Sequence, residues 1–287
     1  MTNAWNAAIL WRNLADAGTL TASAEEPAMP VTLLLDPHIG RHWRAVAASA
    51  WVVVDLGSVQ SVDTIALFGL NLTASGTVRA RLSASDPSGV TGIVHDSDWP
   101  SASGTVLIGG TAAPGATVEL TVDATDADDQ TFGSAVLASW VYPLPAPVSA
   151  RYVRIDLADA SLGWIEAGRI VIGLRTQFGI NFDYGWSRAR VDRSRQSESR
   201  GGQRHIDRDN SYRTITLTFS ALTEAEAETW DTIDLEAGTH SDVLLITDPT
   251  AADLPAASIW GLLDSLEPIP NPYFATFSRS LKINERL

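Results

Sequence analysis

Hydrophobic and polar positions run along this chain in short stretches, broken every few residues by Gly, Pro, Ser or Asp. Stretches rich in β-branched and aromatic residues fall at 51–56, 63–68, 78–82, 117–122, 136–142, 151–157 and 169–172, and each reads as a strand. In 151–157, Val153, Ile155 and Leu157 alternate with Arg154 and Asp156, which is the period of a half-buried strand. Trp51, Val53 and Leu56 are expected to fill the core between such strands. Many short strands with no helix between them predict a β-sandwich rather than a doubly wound sheet.

The pattern changes after Gly173. Residues 174–212 are polar, rich in Arg and Ser, and read as a linker or extended arm. Alternation resumes at Arg213 with Ile215, Leu217 and Phe219. A helix is predicted next, at 223–237: Thr223 and Glu226 form a capping box, Glu224 and Glu226 suit the positive end of the helix dipole, and Gly238 stops it. Ala227, Trp230, Ile233 and Ala237 share one face, which would pack on a sheet. Strands are predicted again at 243–246, 259–263 and 274–283. The expected organisation is an N-terminal arm (1–19), a sandwich (20–173), the arginine-rich linker or arm (174–212) and a β-rich α+β domain with one helix (213–287).

Composition narrows this picture. A length of 287 residues suits two domains, and 45% hydrophobic against 19% charged residues allows each a real core. The apolar runs are far shorter than the ~20 residues of a membrane-spanning helix, so no membrane insertion is expected. The opening Met1-Thr2-Asn3-Ala4-Trp5 has no basic segment ahead of an apolar run, so no signal peptide is expected. The absence of cysteine excludes disulfides, thiolate metal sites and cysteine nucleophiles, and suits assembly in a reducing cytoplasm. A net charge of −14 argues against a nucleic-acid partner. That charge is unevenly spread. Between Trp186 and Arg213 stand eight arginines, Arg188, Arg190, Arg193, Arg195, Arg200, Arg204, Arg208 and Arg213, against four acids; the segment carries +4 and the remainder −18. Arginine outnumbers lysine nineteen to one, a bias towards the bidentate, weakly hydrated cation that suits protein interfaces.

Three segments of the first half, in order, resemble the discoidin family, the type C domains of coagulation factors V and VIII. Leu34-Leu35-Asp36 with Trp43 resembles the family's opening loop. Trp51-Val52-Val53-Val54-Asp55-Leu56-Gly57, followed by Val62 and Ile65, resembles the W-x-x-I/V-D-L-G signature, and Ala150-Arg151-Tyr152-Val153-Arg154-Ile155 resembles A-R-Y-V/I-R-I/L. Across residues 20–173 the resemblance implies a discoidin-like, galactose-binding-like jelly-roll sandwich whose end loops take a carbohydrate or lipid. The opening loop departs from the family: Asp36-Pro37-His38-Ile39-Gly40-Arg41-His42-Trp43 lacks the Asn and Thr oxygens that hold calcium in many relatives, so no metal is expected. Within these segments, Arg151 or Arg154 is placed to pair with Asp55 or Asp156. A second resemblance covers 160–287. Gly163-Trp164-Ile165-Glu166-Ala167-Gly168-Arg169-Ile170-Val171-Ile172-Gly173 is similar to a stretch of bacteriophage minor and distal tail (baseplate) proteins, and Gly201-Gly202-Gln203, Asp248-Pro249, Trp260-Gly261 and 281–285 have the same character.

The residues give little support to catalysis. None of His38, His42, His95, His205 and His240 lies in a nucleophile elbow or a metalloprotease helix, and there is no phosphate-binding loop. His38, His42 and Asp36 are close in sequence, but Pro37 and Gly40 oppose the helix that would align them. Asp123, Asp126, Asp128 and Asp129 lack the spacing of a calcium loop. The expectation is therefore no enzyme, no cofactor and no metal. Among ten tryptophans, Trp51, Trp140 and Trp230 are expected in cores. Trp43 and Trp99 sit in polar contexts, His42-Trp43-Arg44 and Asp98-Trp99-Pro100; each either stacks on a sugar or plugs the sandwich end or a subunit contact. His42, Trp43, Arg44, Asp98 and Trp99 are thus the candidate ligand-binding residues, and Arg188, Arg190, Arg193, Arg195, Arg200 and Arg204 the candidate subunit interface. The leading expectation is a structural protein of a phage tail tip or baseplate, assembled as a homo-oligomeric ring in the host cytoplasm and carried in the virion with other tail proteins. The alternatives are a host-glycan-binding adsorption module and a targeting module of a polysaccharide or cell-wall hydrolase.

Overall fold

The computed structural model describes residues 4–73, 75–98, 138–207 and 209–286. The strand expected at 117–122, Trp99 and the acids Asp123, Asp126, Asp128 and Asp129 lie outside them.

The protein is mainly β, a sandwich followed by a β-rich unit with one α-helix, in line with the sequence pattern. In the first unit, the runs at 51–56 and 63–68 belong to one strand, Ser49–Leu70. Those at 136–142 and 151–157 likewise join in Ala138–Ala158. The sequence breaks at Gly57, where φ is +78°, yet the chain only bends there. The two long strands stay paired across register shifts at Asp55/Gln60 and Val62/Thr64, so bulges turn one antiparallel pair into both layers of a sandwich. Thr19–Ala22 and Thr77–Ser83 flank one half of this pair, and Arg169–Gly173 flanks the other.

The core between the layers takes Val52, Val54 and Leu56 from one half and Val62, Ile65 and Leu67 from the other, facing Val153, Ile155, Leu157 and Trp140. Trp51 and Val53, both expected in it, are not part of it. In this register the odd position points outward, and the indole lies partly exposed under the Arg154 guanidinium, 4.7 Å from the ring centre. The expected ion pairs do form. Arg151 holds Asp55 bidentately at 2.8 and 2.9 Å, and Arg154 holds Asp156 at 2.8 Å. Asp156 is shared with Arg81 at 2.7 Å.

The second unit is a seven-stranded antiparallel sheet, and it takes in residues on both sides of the sandwich. Its order is Thr176–Gln177, Ala8–Leu10, Val243–Ile246, Ser258–Leu263, Phe277–Glu285, Ser211–Leu222 and Ser187–Asp192. Of the N-terminal segment 1–19, the residues described from Ala4 on are therefore no free arm. Ala8–Leu10 pairs with Val243–Ile246 and Thr176–Gln177, because its four consecutive apolar residues from Ala7 to Leu10 are buried on both faces. The helix Glu224–Glu236 carries the capping box as expected, and Gly238 follows it at φ +52°. Trp230 and Ile233 pack with Phe178, Phe219 and Leu217 beneath it. The strand expected from 274 begins only at Phe277, because Tyr273 and Thr276 close a tight turn with Ala275 at φ +53°.

Alternation in each sheet divides the molecule into layers. Ala66, Phe68, Val141 and Val171 leave the sandwich core on its outer face and meet Ala8, Leu10, Leu244, Ile246 and Trp260 from the second sheet. Phe68 and Trp260 stack there at 5.4 Å. The two units thus share an apolar seam and are not beads on a linker. No helix among the described residues is long and apolar enough to cross a membrane.

Candidate functional site

Two surfaces carry the residues singled out in the sequence. The first is the end of the sandwich, where Trp43–Ala45 pairs with Ile165–Ala167. In both short strands the outer positions are apolar and buried and the middle one points out, so Arg44 and Glu166 share the solvent side. Arg44 donates to Glu166 at 2.5 Å and to Glu26 at 3.3 Å. Hydrogen bonding to Glu166 holds the guanidinium's pKa above its usual range, against desolvation.

Trp43 does not serve as a platform. It is fully buried, its indole N–H donates to the carbonyl of Ala24 at 3.1 Å, and it plugs the sandwich end, as the period-2 pattern of Trp43 and Ala45 requires. The exposed indole belongs to Trp164, 47% accessible, with the Arg44 guanidinium 5.7 Å from its ring centre. Asn71 fixes this turn by donating to the Trp164 carbonyl at 3.0 Å and accepting from the Glu166 amide at 2.8 Å. The signal was in the sequence: Ile165 and Ala167 alternate inward, which sends Trp164 and Glu166 outward. His42 lies half-buried beside this group, and its Nε2 has no hydrogen-bond partner among the described residues. Burial lowers its pKa first, Glu166 opposes that shift and Arg44 adds to it.

Asp98 is not brought to His42 and Arg44. It is exposed at φ +58° beyond Ile93–Asp96, its amide donating to Asp96 at 3.0 Å, on the side of the sheet where His95 meets Tyr142. Asp36 accepts from the His38 amide and ring at 2.9 and 2.8 Å and from Arg41 at 2.9 Å, which holds its pKa down at about 2. That carboxylate is engaged within its own loop. No group of three His, Asp or Glu side chains among the described residues is arranged to hold a metal ion.

The second surface is the arginine segment, which is β-structure and no irregular linker. Ser187–Asp192 pairs with Ser211–Leu222, from Ser187 opposite Thr216 to Asp192 opposite Ser211. Beyond the sheet, Arg195–Glu198 pairs with Arg204–Asp207 and a turn at 199–203 closes the ribbon, with Gly202 at φ +79°. Every residue of Ser187–Asp192, Arg195–Glu198 and Arg204–Asp207 is exposed. The arginines are loosely held: Arg193 and Arg204 approach Asp209 and Glu198 only at 3.9 Å, and Arg190 reaches the Ser211 hydroxyl at 3.3 Å. Arg188 lies over Trp186 at 5.5 Å. Arg195 and Arg200 have no ion-pair partner among the described residues. Exposed apolar side chains lie in the same segment, Val191 at 37% on the sheet strand and Ile206 at 62% on the ribbon.

No protein-family model and no curated protein matches the chain. Solved structures similar to part of it include the CBM32 of AlyQ in complex with 4,5-unsaturated mannuronic acid, with 18% identity over 54% of this chain and 93% of that one and a TM-score of 0.36. A chitosan-binding module from a Paenibacillus chitosanase/glucanase shares 17% identity over 57% and 99% of the two chains, TM-score 0.36. A Streptococcus pneumoniae fucose-binding module shares 11% identity over 57% and 98%, TM-score 0.36. Likenesses this distant carry no argument about what this chain binds.

Proposed function

We propose that this protein is a structural component of a phage tail tip or baseplate, assembling with copies of itself into a ring through the arginine ribbon. The observation behind the reading is that the ribbon is solvent-exposed on both faces throughout 195–207. An isolated two-stranded ribbon is marginal in water, because it has no core to offset the entropy of ordering its residues. A partner surface would supply that core. The segment's charge of +4 against −18 on the rest of the chain favours an acidic face of an identical subunit, and head-to-tail contacts of this kind form a ring when the rotation between subunits closes. The resemblance of 163–173 to tail proteins supports reading that ring as part of a virion, and the reading assigns no catalysis to the chain.

Light scattering on the full chain tests this. The expected result is a defined multimer that dissociates as salt rises, and a monomer for Arg190→Glu/Arg193→Glu/Arg195→Glu. A native chain that stays monomeric at every concentration and at low salt overturns the reading.

A second reading, display of a glycan-binding surface to the host, is favoured by one feature. Trp164 presents an indole face beside Arg44, Glu166 and His42, an aromatic plane next to hydrogen-bonding groups. Loss of glycan-array binding in Trp164→Ala, with the multimer intact, is the expected outcome.

A further inference from the structure

A cavity of about 310 Å³ opens where the sandwich and the second sheet meet. From the sandwich side come Asp16, Leu35, Arg169 and Val171; from the other come Trp11, Leu244 and Trp260, with the segment 240–242 and Arg286 at one wall. Four charges cross this wall in alternation. Arg169 pairs with Asp16 at 2.7 Å and stands 3.9 Å from Asp242, which accepts from Arg286 at 2.6 Å. The Arg169 side chain is only 4% accessible and that of Asp242 10%.

This wall has spare hydrogen-bonding capacity of both kinds. Nε of Arg169 is buried with no acceptor among the described residues, which is costly for a guanidinium N–H. Asp242 accepts from Arg286 through Oδ1 only, and its Oδ2 accepts no hydrogen bond among the described residues, with Arg169 standing 3.9 Å away. Burial pushes the Asp242 carboxyl's pKa up against the pull of Arg286. His240 is exposed beside it, and Ser241 is half-buried. Two cations against two anions leave no net charge to attract an ion. An anion drawn to Arg169 would face Asp16 and Asp242, and a cation drawn to the carboxylates would face both guanidiniums. The group that satisfies an orphan donor and an orphan acceptor together is a hydroxyl, which donates and accepts at one atom. Apolar side chains of Leu10, Leu244 and Val171 supply the rest of the lining.

We propose that this cavity is a binding site for a neutral polyhydroxylated molecule of about one sugar ring, held by Asp242 and Arg169 at the seam between the two units. The volume lies at the low end of the roughly 300–1,000 Å³ of small-molecule sites, which suits a single ring. The inference does not depend on ring assembly, and the site is separate from the Trp164 surface. One chemistry has two sources, a free sugar or the terminal residue of a surface polysaccharide.

Calorimetric titration of the full chain with D-glucose and D-galactose, and with their methyl glycosides, tests the proposal, with sodium phosphate and sodium acetate as charged comparators. Expected are binding of at least one neutral sugar at millimolar concentration and a tenfold or greater loss of affinity in Asp242→Asn and in Ser241→Phe, which fills the cavity without touching the ion pairs. Trp164→Ala is expected to leave this binding unchanged. Methyl glycosides that bind as well as the free sugars point to a chain terminus; preference for the free sugars points to a soluble ligand. No heat with any of the four sugars from protein with native circular dichroism overturns the proposal. So does binding that survives Ser241→Phe, or binding of the anions alone. Should Asp242→Asn fail to fold, the Ser241→Phe comparison decides.

Discussion

Residues 63–68 and the ribbon around 195–207 are both antiparallel β-structure with regular hydrogen-bonded pairing, and they sit at opposite extremes of burial. In the first, Ile65 and Leu67 enter the sandwich core while Ala66 and Phe68 enter the seam, so both faces are dry. In the second, both faces are wet. Backbone hydrogen bonds exchange partners with water and add little net stability each, so the ladder alone does not hold a strand in place. The buried strand is fixed by what lies on its faces. The ribbon has nothing comparable among the described residues, and the docking proposed above would supply it.

The largest effect is expected where a buried strand tolerates no side chain. A Cβ on Gly261 would lie 1.9 Å from the carbonyl oxygen of Asn284 on the neighbouring strand. Gly261→Ala must therefore separate the centre of the second sheet, and we expect a loss of more than ~4 kcal/mol, enough to prevent folding at 37 °C, checked by denaturant unfolding and circular dichroism. Next is Phe68→Ala, which opens the seam opposite Trp260; the expected cost is about 3–5 kcal/mol. Because the seam joins both units, a single cooperative transition should shift as a whole. Separation into two transitions would show that the units fold independently and that the buried strand does not couple them.

A smaller effect marks the loop end of the sandwich. Burial alone would raise the Asp159 pKa, but hydrogen bonds from Ser161 and Thr73 outweigh it and hold it at about 2. A carboxylate depressed in the folded state stabilises above its unfolded pKa near 4, and that contribution is lost as pH falls from about 4 through about 2. Its size is on the order of 2 kcal/mol. Asp159→Asn should be less stable than the native chain at pH 7 and should lose less stability between pH 4 and 2. Parallel pH profiles of the two proteins would contradict this.

Period-2 alternation was enough to locate most strands, and the Thr223–Glu226 box with the Ala227, Trp230, Ile233 face was enough to locate the helix. Two kinds of feature escaped. Where a strand bends through a bulge, as at Gly57, local sequence reads as two strands. Where a partner strand comes from the far end of the chain, as when Ala8–Leu10 joins Val243–Ile246, nothing local announces it. The site residues divide in the same way. Aromatic identity next to polar neighbours marked Trp43, which is buried, whereas the alternation of Ile165 and Ala167 exposes Trp164 instead. The pairing of Arg151 with Asp55 was legible because opposed strands fix it. The cavity was not, since Asp16, Arg169 and Asp242 meet only through the packing of two sheets.

The smallest expected effect is also the sharpest test of the contrast. Val191→Ser/Ile206→Ser removes exposed apolar side chains from the arginine segment, Val191 on its sheet strand and Ile206 on the ribbon. Neither contacts a core, so the unfolding free energy of the isolated chain, measured at dilution and high salt, should change by no more than about 0.5 kcal/mol. Amide hydrogen exchange of 195–207 under the same conditions should be fast in both proteins, because opening the ribbon uncovers no apolar surface. If the ribbon docks on a second copy, the same double variant should weaken self-association and abolish the added exchange protection that the native ribbon gains as concentration rises. Slow exchange in the dilute native chain would mean that the ribbon is held by its own molecule, and the difference between the two β segments would then lie in something other than burial.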